Sequence, residues 1–268
     1  MAIIITNDII NIADAKISVI STAAGYAKAN VMNHTRLKRR WRMNTADKSD
    51  TDAVMVFNMD AAKTVAAIVL DDVNFDECII VGHASDLSGE SDGWTGASFS
   101  SGAITISKDG KTNRYKAYIP LVAFNLQYIA IIVPTAAAAV GSYTTKWEIG
   151  RVVILDSATE LTRNMDYGYQ RGAEQKFKDL ELEYGSVERI VTGILRWSAD
   201  LPFGIRRMSE ETELDTMNAY DMDDVLVFYE NAGDTSAVYV VHKDTNYRGT
   251  WTAPDGVRGN TIRLTEYI

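Results

Sequence analysis

Short apolar runs, separated by Gly, Asn, Asp and Ser, fill most of the first half of the chain. Runs of this kind with turn residues between them are typical of strands in a β-sandwich or barrel. In DAVMVFNMD and TVAAIVLDD, apolar residues alternate or continue as they do in strands that pack on a core. The pattern predicts strands near residues 3–6, 17–20, 37–43, 53–58, 65–70, 78–84, 103–107, 113–119, 127–133 and 147–155.

The second half combines further strand patterns with one helix pattern. KFKDLELEYG and the following GSVERIVTGILRW predict a hairpin. Ser209 can cap a helix over residues 209–220, where the acidic side chains near the positive end of the helix dipole are favourable; these are Glu210, Glu211 and Glu213.

The final strand pattern, NTIRLTEYI, places Ile262, Leu264 and Glu266 on one face. A change in composition near residues 156–165 indicates a linker. We therefore expect a mainly β chain: an N-terminal jelly-roll β-sandwich over residues 1–158, then a smaller β-rich α+β domain over 159–268 with the one helix.

The charge of the chain makes general nucleic-acid binding improbable. Its net charge is −9, with 27 basic and 36 acidic residues. Residues 1–160 have a net charge of −2 and residues 161–268 a net charge of −7. Phosphate backbones require a basic field, so we expect no nucleic-acid partner.

One local feature departs from this acidity. The stretch HTRLKRRWRMN holds five basic residues: Arg36, Lys38, Arg39, Arg40 and Arg42. On strand periodicity, Trp41 and Met43 lie on one face, and Lys38, Arg40 and Arg42 lie on the other. The main interpretation is a half-buried strand with a basic outer face, and the alternative is a patch that faces an anion or a carbohydrate.

The polar loop DLSGESDGWTGASFSSG (86–102) is long enough to suggest a binding role. Trp94 could stack on a sugar ring while neighbouring polar groups bind its hydroxyls. In the alternative interpretation, Trp94 packs down onto the sandwich.

Signals for catalysis are few. The sequence has no H-E-x-x-H motif, and its three histidines, His34, His83 and His242, are far apart. Seven carboxylates between Glu210 and Asp224 fit a solvated helix face and turn. The single cysteine, Cys78, lies in an apolar strand pattern and fits a small buried residue. We expect no catalytic residue, no metal and no cofactor.

The N-terminus has no basic leader, and its apolar stretch is broken by Asn7 and Asp8. We therefore expect no signal peptide. The longest apolar stretches are shorter than a membrane-spanning helix requires. These features favour synthesis in the cytoplasm and no membrane insertion.

The first half resembles a galactose-binding-like (discoidin-type) β-sandwich. The resemblance rests on ISVISTAAGYAKANVMNH, RLKRRWR, VMVFNMDAAKTVAAIVLDDVNF, YIAIIVPT and WEIGRVVIL. The positions that match its pattern are Ser21, Gly25, Asn30, Trp41, Ile68 to Leu70, and Asn74.

The second half is similar to the partner domain of bacteriophage tail-tip or minor tail proteins. The matching pieces are MDYGYQRG, LELEYGSVERIVTGILRW, DDVLVFYEN and IRLTEY, while YENAGDTS stands where that family has a Pro-rich tail. The resemblance implies a non-enzymatic virion structural protein of a tail tip or baseplate, made in the host cytoplasm. It would assemble with other tail proteins, as a homo-oligomeric ring.

A ring needs complementary surfaces on its neighbouring subunits. Lys38, Arg40 and Arg42 of one subunit are a candidate partner for the acidic helix of the next, through Glu210, Glu211 and Glu213. The alternative function is a carbohydrate-binding adhesin that contacts a host surface glycan, with Trp94 facing the sugar.

Overall fold

The computed structural model describes residues 4–35, 40–43, 52–86, 94, 96–140, 146–157, 170–174, 177–181, 187–191, 195–202, 205–207, 215, 219–230, 233–245, 250–253, 256–258 and 261–267. The strands of the first half are β1 (Ile4–Thr6), β2 (Ile17–Val19), β3 (Trp41–Arg42), β4 (Ala53–Val73), β5 (Glu77–His83), β6 (Phe99–Thr105), β7 (Ser107–Lys108), β8 (Tyr115–Val133) and β9 (Glu148–Leu155). Two short 3-10 helices span Asp14–Lys16 and Lys28–Met32.

The strands of the second half are β10 (Gln170–Glu174), β11 (Phe177–Glu181), β12 (Val187–Val191), β13 (Arg196–Pro202), β14 (Ile205–Arg207), β15 (Leu226–Tyr229), β16 (Val238–Lys243), β17 (Thr250–Ala253), β18 (Gly256–Arg258) and β19 (Thr261–Glu266). The prediction of a mainly β chain with an N-terminal β-sandwich is confirmed.

A long antiparallel ribbon of β4 and β8 forms the frame of the sandwich. The early part of β4 pairs with β2 and its later part with β9, while β8 pairs with β5 and β7. The full order is β3-β9-β4-β8-β5-β6. Each long strand therefore contributes to both layers, and the core between them contains the fully buried Trp41, Phe57, Phe75 and Trp147.

The sequence prediction divided each long strand into two, and this division is wrong. Residues 53–58 and 65–70 belong to β4, and residues 113–119 and 127–133 lie almost entirely within β8. Asp60 has a φ of 65°, and residues 60–64 are exposed. These exposed residues interrupt the apolar pattern, and the pairing register with β8 shifts between Asn58 and Lys63. The strand β4 nevertheless continues through them.

Two predictions for the second half have different outcomes. The expected hairpin exists, because β11 pairs with β12 in antiparallel register. Of the predicted helix, the structure describes Asp215, Ala219 and Tyr220, and the first two are helical. The remainder of residues 209–220 lies outside the described residues. No helix among the described residues has the length and hydrophobicity needed to cross a membrane.

The largest sheet of the second half includes a strand from the start of the chain. Its order is β1-β15-β16-β19-β13-β10. Ile5 packs into the same core as Trp197, Phe228 and Tyr239. Ile262, Leu264 and Glu266, which the sequence places on one strand face, are all buried, the first two in that core. The domain boundary at residue 158 stays a prediction.

The sandwich and the C-terminal sheet pack against each other through apolar side chains. The shared cluster contains Val69 and Val153 from the sandwich with Val227 and Val240 from the sheet. The rings of Tyr118 and Tyr229 stack across this interface, with centroids 4.1 Å apart. The outer face formed by β9 and the later part of β4 is thereby covered.

Beside these apolar contacts lies a buried ionic cluster, the interface charge cluster. It consists of Asp71, Asp109, Arg114, Lys116, Arg151 and Glu266. Arg114 binds Glu266 and lies 3.5 Å from Asp71, and Arg151 also lies 3.5 Å from Asp71. Lys116 lies 3.4 Å from Asp109. Three cations thus face three carboxylates, which offsets much of the cost of removing the charges from water.

The charges in this cluster determine how Asp71 ionises. Burial opposes its ionisation, but the positive charges of Arg114, Arg151 and Lys116 outweigh burial and lower the pKa of Asp71 below its usual 3.8. The Asp71 carboxylate is therefore charged at neutral pH, as are the arginines beside it.

His34 is buried at the edge of the same cluster. Its Nε2 lies 3.0 Å from the Val152 carbonyl oxygen, and Arg151 donates to the His34 carbonyl oxygen at 2.9 Å. Burial, and to a lesser extent the charge of Arg151, lowers the pKa of His34 from 6.5 to about 4. The folded protein therefore favours the neutral imidazole.

We expect stability to fall as the pH drops from 6.5 towards 4, because the unfolded chain takes up a proton at His34 before the folded chain does. Between pH 7.5 and 4.5 this difference amounts to about 2–3 kcal/mol in the free energy of unfolding. Urea unfolding of the wild type and of His34→Gln at both pH values measures it. An equal loss in both proteins would contradict the assignment to His34.

Candidate functional site: a polar pocket beside Arg40

The basic strand has the alternation that the sequence predicts. Trp41 and Met43 are fully buried, while Arg40 and Arg42 lie on the other face and are partly exposed. β3 pairs with β9, with Arg42 opposite Glu148. Lys38 lies outside the described residues.

Hydrogen bonds hold the loop over residues 21–27 against this strand. The Trp41 indole Nε1 lies 3.2 Å from the Ser21 carbonyl oxygen and 3.3 Å from the Thr22 hydroxyl. Asn30 donates from Nδ2 to the Arg40 carbonyl oxygen at 2.9 Å. Gly25 has a φ of 82°, which a glycine adopts without strain. The loop therefore has a fixed position beside Arg40.

Two carboxylates hold Arg42 of β3 and Arg40, which directly precedes the strand. Arg40 lies 2.8 Å from Asp72 and 3.2 Å from Glu148, and Arg42 also binds Glu148. The Arg42 guanidinium lies 3.9 Å from the centroid of the Tyr26 ring, a cation–π contact. Burial raises the pKa of Asp72 although Arg40 opposes the shift.

Glu148 is the fully buried centre of this arrangement. Its backbone N–H donates to Asn74 Oδ1 at 2.7 Å, and Asn74 donates from Nδ2 to the Lys146 carbonyl oxygen at 2.6 Å. These hydrogen bonds connect the end of β4 with the start of β9, next to the arginines. Side chains locked in this way lose little conformational freedom when a ligand binds.

The resulting pocket, here called the Arg40 pocket, has a volume of about 540 Å³. The loop over residues 22–27 lines it together with Asn30 and Arg40. These residues offer backbone groups, a hydroxyl, an amide and a guanidinium, which suit a polar ligand. Among the described lining residues, none is an ordinary general base at neutral pH.

The basic half of the predicted contact between subunits has partners within the chain. Arg40 and Arg42 bind carboxylates of their own chain. Glu210, Glu211 and Glu213 lie outside the described residues. The proposed pairing with an acidic helix therefore stays a prediction.

Trp94 is 2% exposed and packs against Val56, Val81, Ala130 and Ile132 on the outer face of the sandwich. This arrangement matches the alternative in which Trp94 packs down onto the sandwich. The face of its ring is not open to a sugar.

One further motif-like segment lies in the polar stretch over residues 86–102. GESDG at residues 89–93 has the Gly-x-Ser-x-Gly spacing of hydrolase nucleophile turns. That motif requires a strand before the serine and a helix after it. The segment itself lies outside the described residues, and the next described element is the strand β6. The described surroundings therefore lack the helix of a nucleophile turn.

The remaining candidates from the sequence, the cysteine, the histidines and the acidic residues, show no arrangement for catalysis or metal binding among the described residues. The described residues contain no group of three or more His, Cys, Asp or Glu able to hold a metal ion. Cys78 is buried, and burial raises the pKa of its thiol to about 12. His83 lies near the Ser85 backbone, and His242 lies 3.1 Å from Asp244.

Sequence patterns do not single out Tyr26, Asp72 or Glu148. Glu148 lies 106 residues from Arg42, so local patterns do not link them. The one available signal is a lone carboxylate in the apolar run WEIGRVVIL. A charge in such a run indicates a buried ion pair.

We expect Glu148→Gln to lower the free energy of unfolding by about 3 kcal/mol, because two partly buried arginines lose their shared partner. Urea unfolding measures the change. Asp60→Asn is the matched control, since it removes an exposed pair with Lys16 and should leave stability nearly unchanged. Equal effects of the two substitutions would contradict the central role of Glu148.

No protein-family model matches the chain, and no curated protein matches it significantly. Several solved structures resemble part of it. One is a family 32 carbohydrate-binding module from a Clostridium perfringens family 31 glycoside hydrolase, with 13% identity and a TM-score of 0.39, covering 56% of this chain and 96% of that module.

Another is the family 32 module of C. perfringens NanJ in complex with galactose, with 11% identity and a TM-score of 0.39, covering 55% of this chain and 97% of that module. SpGH29 matches with 10% identity and a TM-score of 0.37, over 53% of this chain and only 26% of its own. At these scores, the likeness carries no argument about the ligand of this chain.

Proposed function

We propose that this protein is a non-enzymatic carbohydrate-binding protein whose binding site is the Arg40 pocket. The observation that carries the proposal is the fixed guanidinium of Arg40, which lies on an open polar pocket and is held by Asp72 and Glu148. A preorganised donor of this kind favours binding because its ordering is already complete.

The other groups of the pocket fit a ligand with many hydroxyls. Sugar hydroxyls both donate and accept hydrogen bonds. Arg40 donates, while Asn30 Oδ1 has no donor among the described residues and can accept. Thr22 can do both. The half-buried ring of Tyr26 adds an aromatic surface of the type that contacts the C–H face of a sugar.

We expect Arg40→Ala to weaken glycan binding about tenfold or more, because it removes a charged donor. A glycan screen identifies the ligand, and titration calorimetry measures its dissociation constant. Arg40→Lys keeps the charge but not the planar fork, so it should recover only part of the affinity. Lys16→Ala, at an exposed ion pair, is the control.

Thermal unfolding of each variant separates lost binding from lost folding. A glycan that binds Arg40→Ala as tightly as the wild type would remove the Arg40 pocket from the proposal. The absence of any glycan ligand would overturn the proposal itself.

We further propose, on the sequence resemblance alone, that the protein acts in a bacteriophage tail tip or baseplate. Its partners would be other tail proteins and copies of itself in a ring, and the glycan would lie on the host surface. Immunogold labelling of intact virions tests this location. We expect label at the free end of the tail, and label on the head or on no particle would reject it.

A further inference from the structure

A second pocket, of about 360 Å³, lies on the outer face of the sandwich beside Trp94. Val81, Ile132 and Trp94 contribute buried side chains to it, and Ala97 lines its partly exposed wall. Two polar side chains, those of Asp52 and Ser100, also line this pocket. It is separate from the Arg40 pocket and shares no lining residue with it.

Trp94, which lines this pocket, carries an enclosed hydrogen-bond donor. Its indole Nε1 is enclosed and has no acceptor among the described residues. Buried indole N–H groups ordinarily find an acceptor, because an enclosed donor without one is unfavourable. This donor therefore requires an explanation.

The backbone of the same residue is strained. Trp94 has a φ of 65°, in the left-handed region that bulky residues rarely adopt. Residues in such conformations cluster at ligand sites, where the surrounding structure holds them in place. At this pocket, one residue thus combines a strained backbone with a donor that has no acceptor in the described part of the chain.

Asp52 supplies an acceptor. One of its carboxylate oxygens accepts the Thr135 backbone N–H at 2.7 Å, which fixes the side chain. Its other oxygen has no donor among the described residues. The pocket thus combines an apolar surface, a donor and an acceptor.

We propose that this pocket binds the acetamido group of an N-acetylated sugar. The methyl group packs on Val81 and Ile132, and the carbonyl oxygen accepts from Trp94 after a small shift of the indole towards the pocket. The amide N–H donates to Asp52. The proposal shares with the proposed function the premise that the ligand is a saccharide, but it uses different residues.

The test follows the indole N–H signals of the ¹⁵N-labelled protein during titration with N-acetylglucosamine. Trp94→Phe identifies the Trp94 signal by its disappearance and keeps most of the apolar packing. We expect a saturable shift of that signal with N-acetylglucosamine and none with glucose, which lacks the acetamido group. Trp94→Phe should weaken binding roughly fivefold.

Two further variants separate the possible outcomes. Ala97→Leu fills the pocket from its partly exposed wall and should abolish the shift in a folded protein, which keeps the test valid if Trp94→Phe does not fold. Arg40→Ala should leave the shift unchanged. No shift at Trp94, or an equal shift with glucose, would overturn the acetamido proposal. Binding lost in Arg40→Ala alone would assign the sugar to the Arg40 pocket instead.

Discussion

The interface charge cluster is the constraint on which the arrangement of the two sheet systems depends. Each of its charges is costly away from water unless an opposite charge lies close by. Asp71, Arg114 and Arg151 come from the sandwich, whereas Glu266 comes from the last strand of the chain. A displaced C-terminal sheet would leave Arg114 without its nearest carboxylate. The packing of the two systems is therefore specified by charge as well as by apolar contact.

The same strands connect this cluster to the Arg40 pocket. Asp71 and its neighbour Asp72 point to opposite sides of β4, so one binds Arg151 and the other binds Arg40. On β9, Glu148 holds the pocket arginines and Arg151 belongs to the cluster. A binding site built on strands that are fixed in this way is more rigid than one formed by loops alone. This rigidity fixes the guanidinium of Arg40 beside the pocket.

Much of the fold was predictable because it follows from local patterns. Alternation marks Trp41 and Met43 as buried and Arg40 as partly exposed, and the structure agrees. The continuous apolar runs of β5 and β8 reflect strands that are covered on both faces, here partly by Trp94. Local patterns did not predict that β4 continues through residues 60–64, because these residues are exposed although the strand does not end there.

The sequence by itself determined the mainly β class, most strand positions and the two-faced character of the basic strand, because side-chain alternation is a property of neighbouring residues. Only the tertiary structure decided that Glu148 pairs with both Arg40 and Arg42, that β1 joins the C-terminal sheet, and that Trp94 packs down onto the outer face of the sandwich. These features depend on contacts between residues far apart in the chain. Such contacts are selected by the cost of burying charges and by the apolar area that packing removes from water.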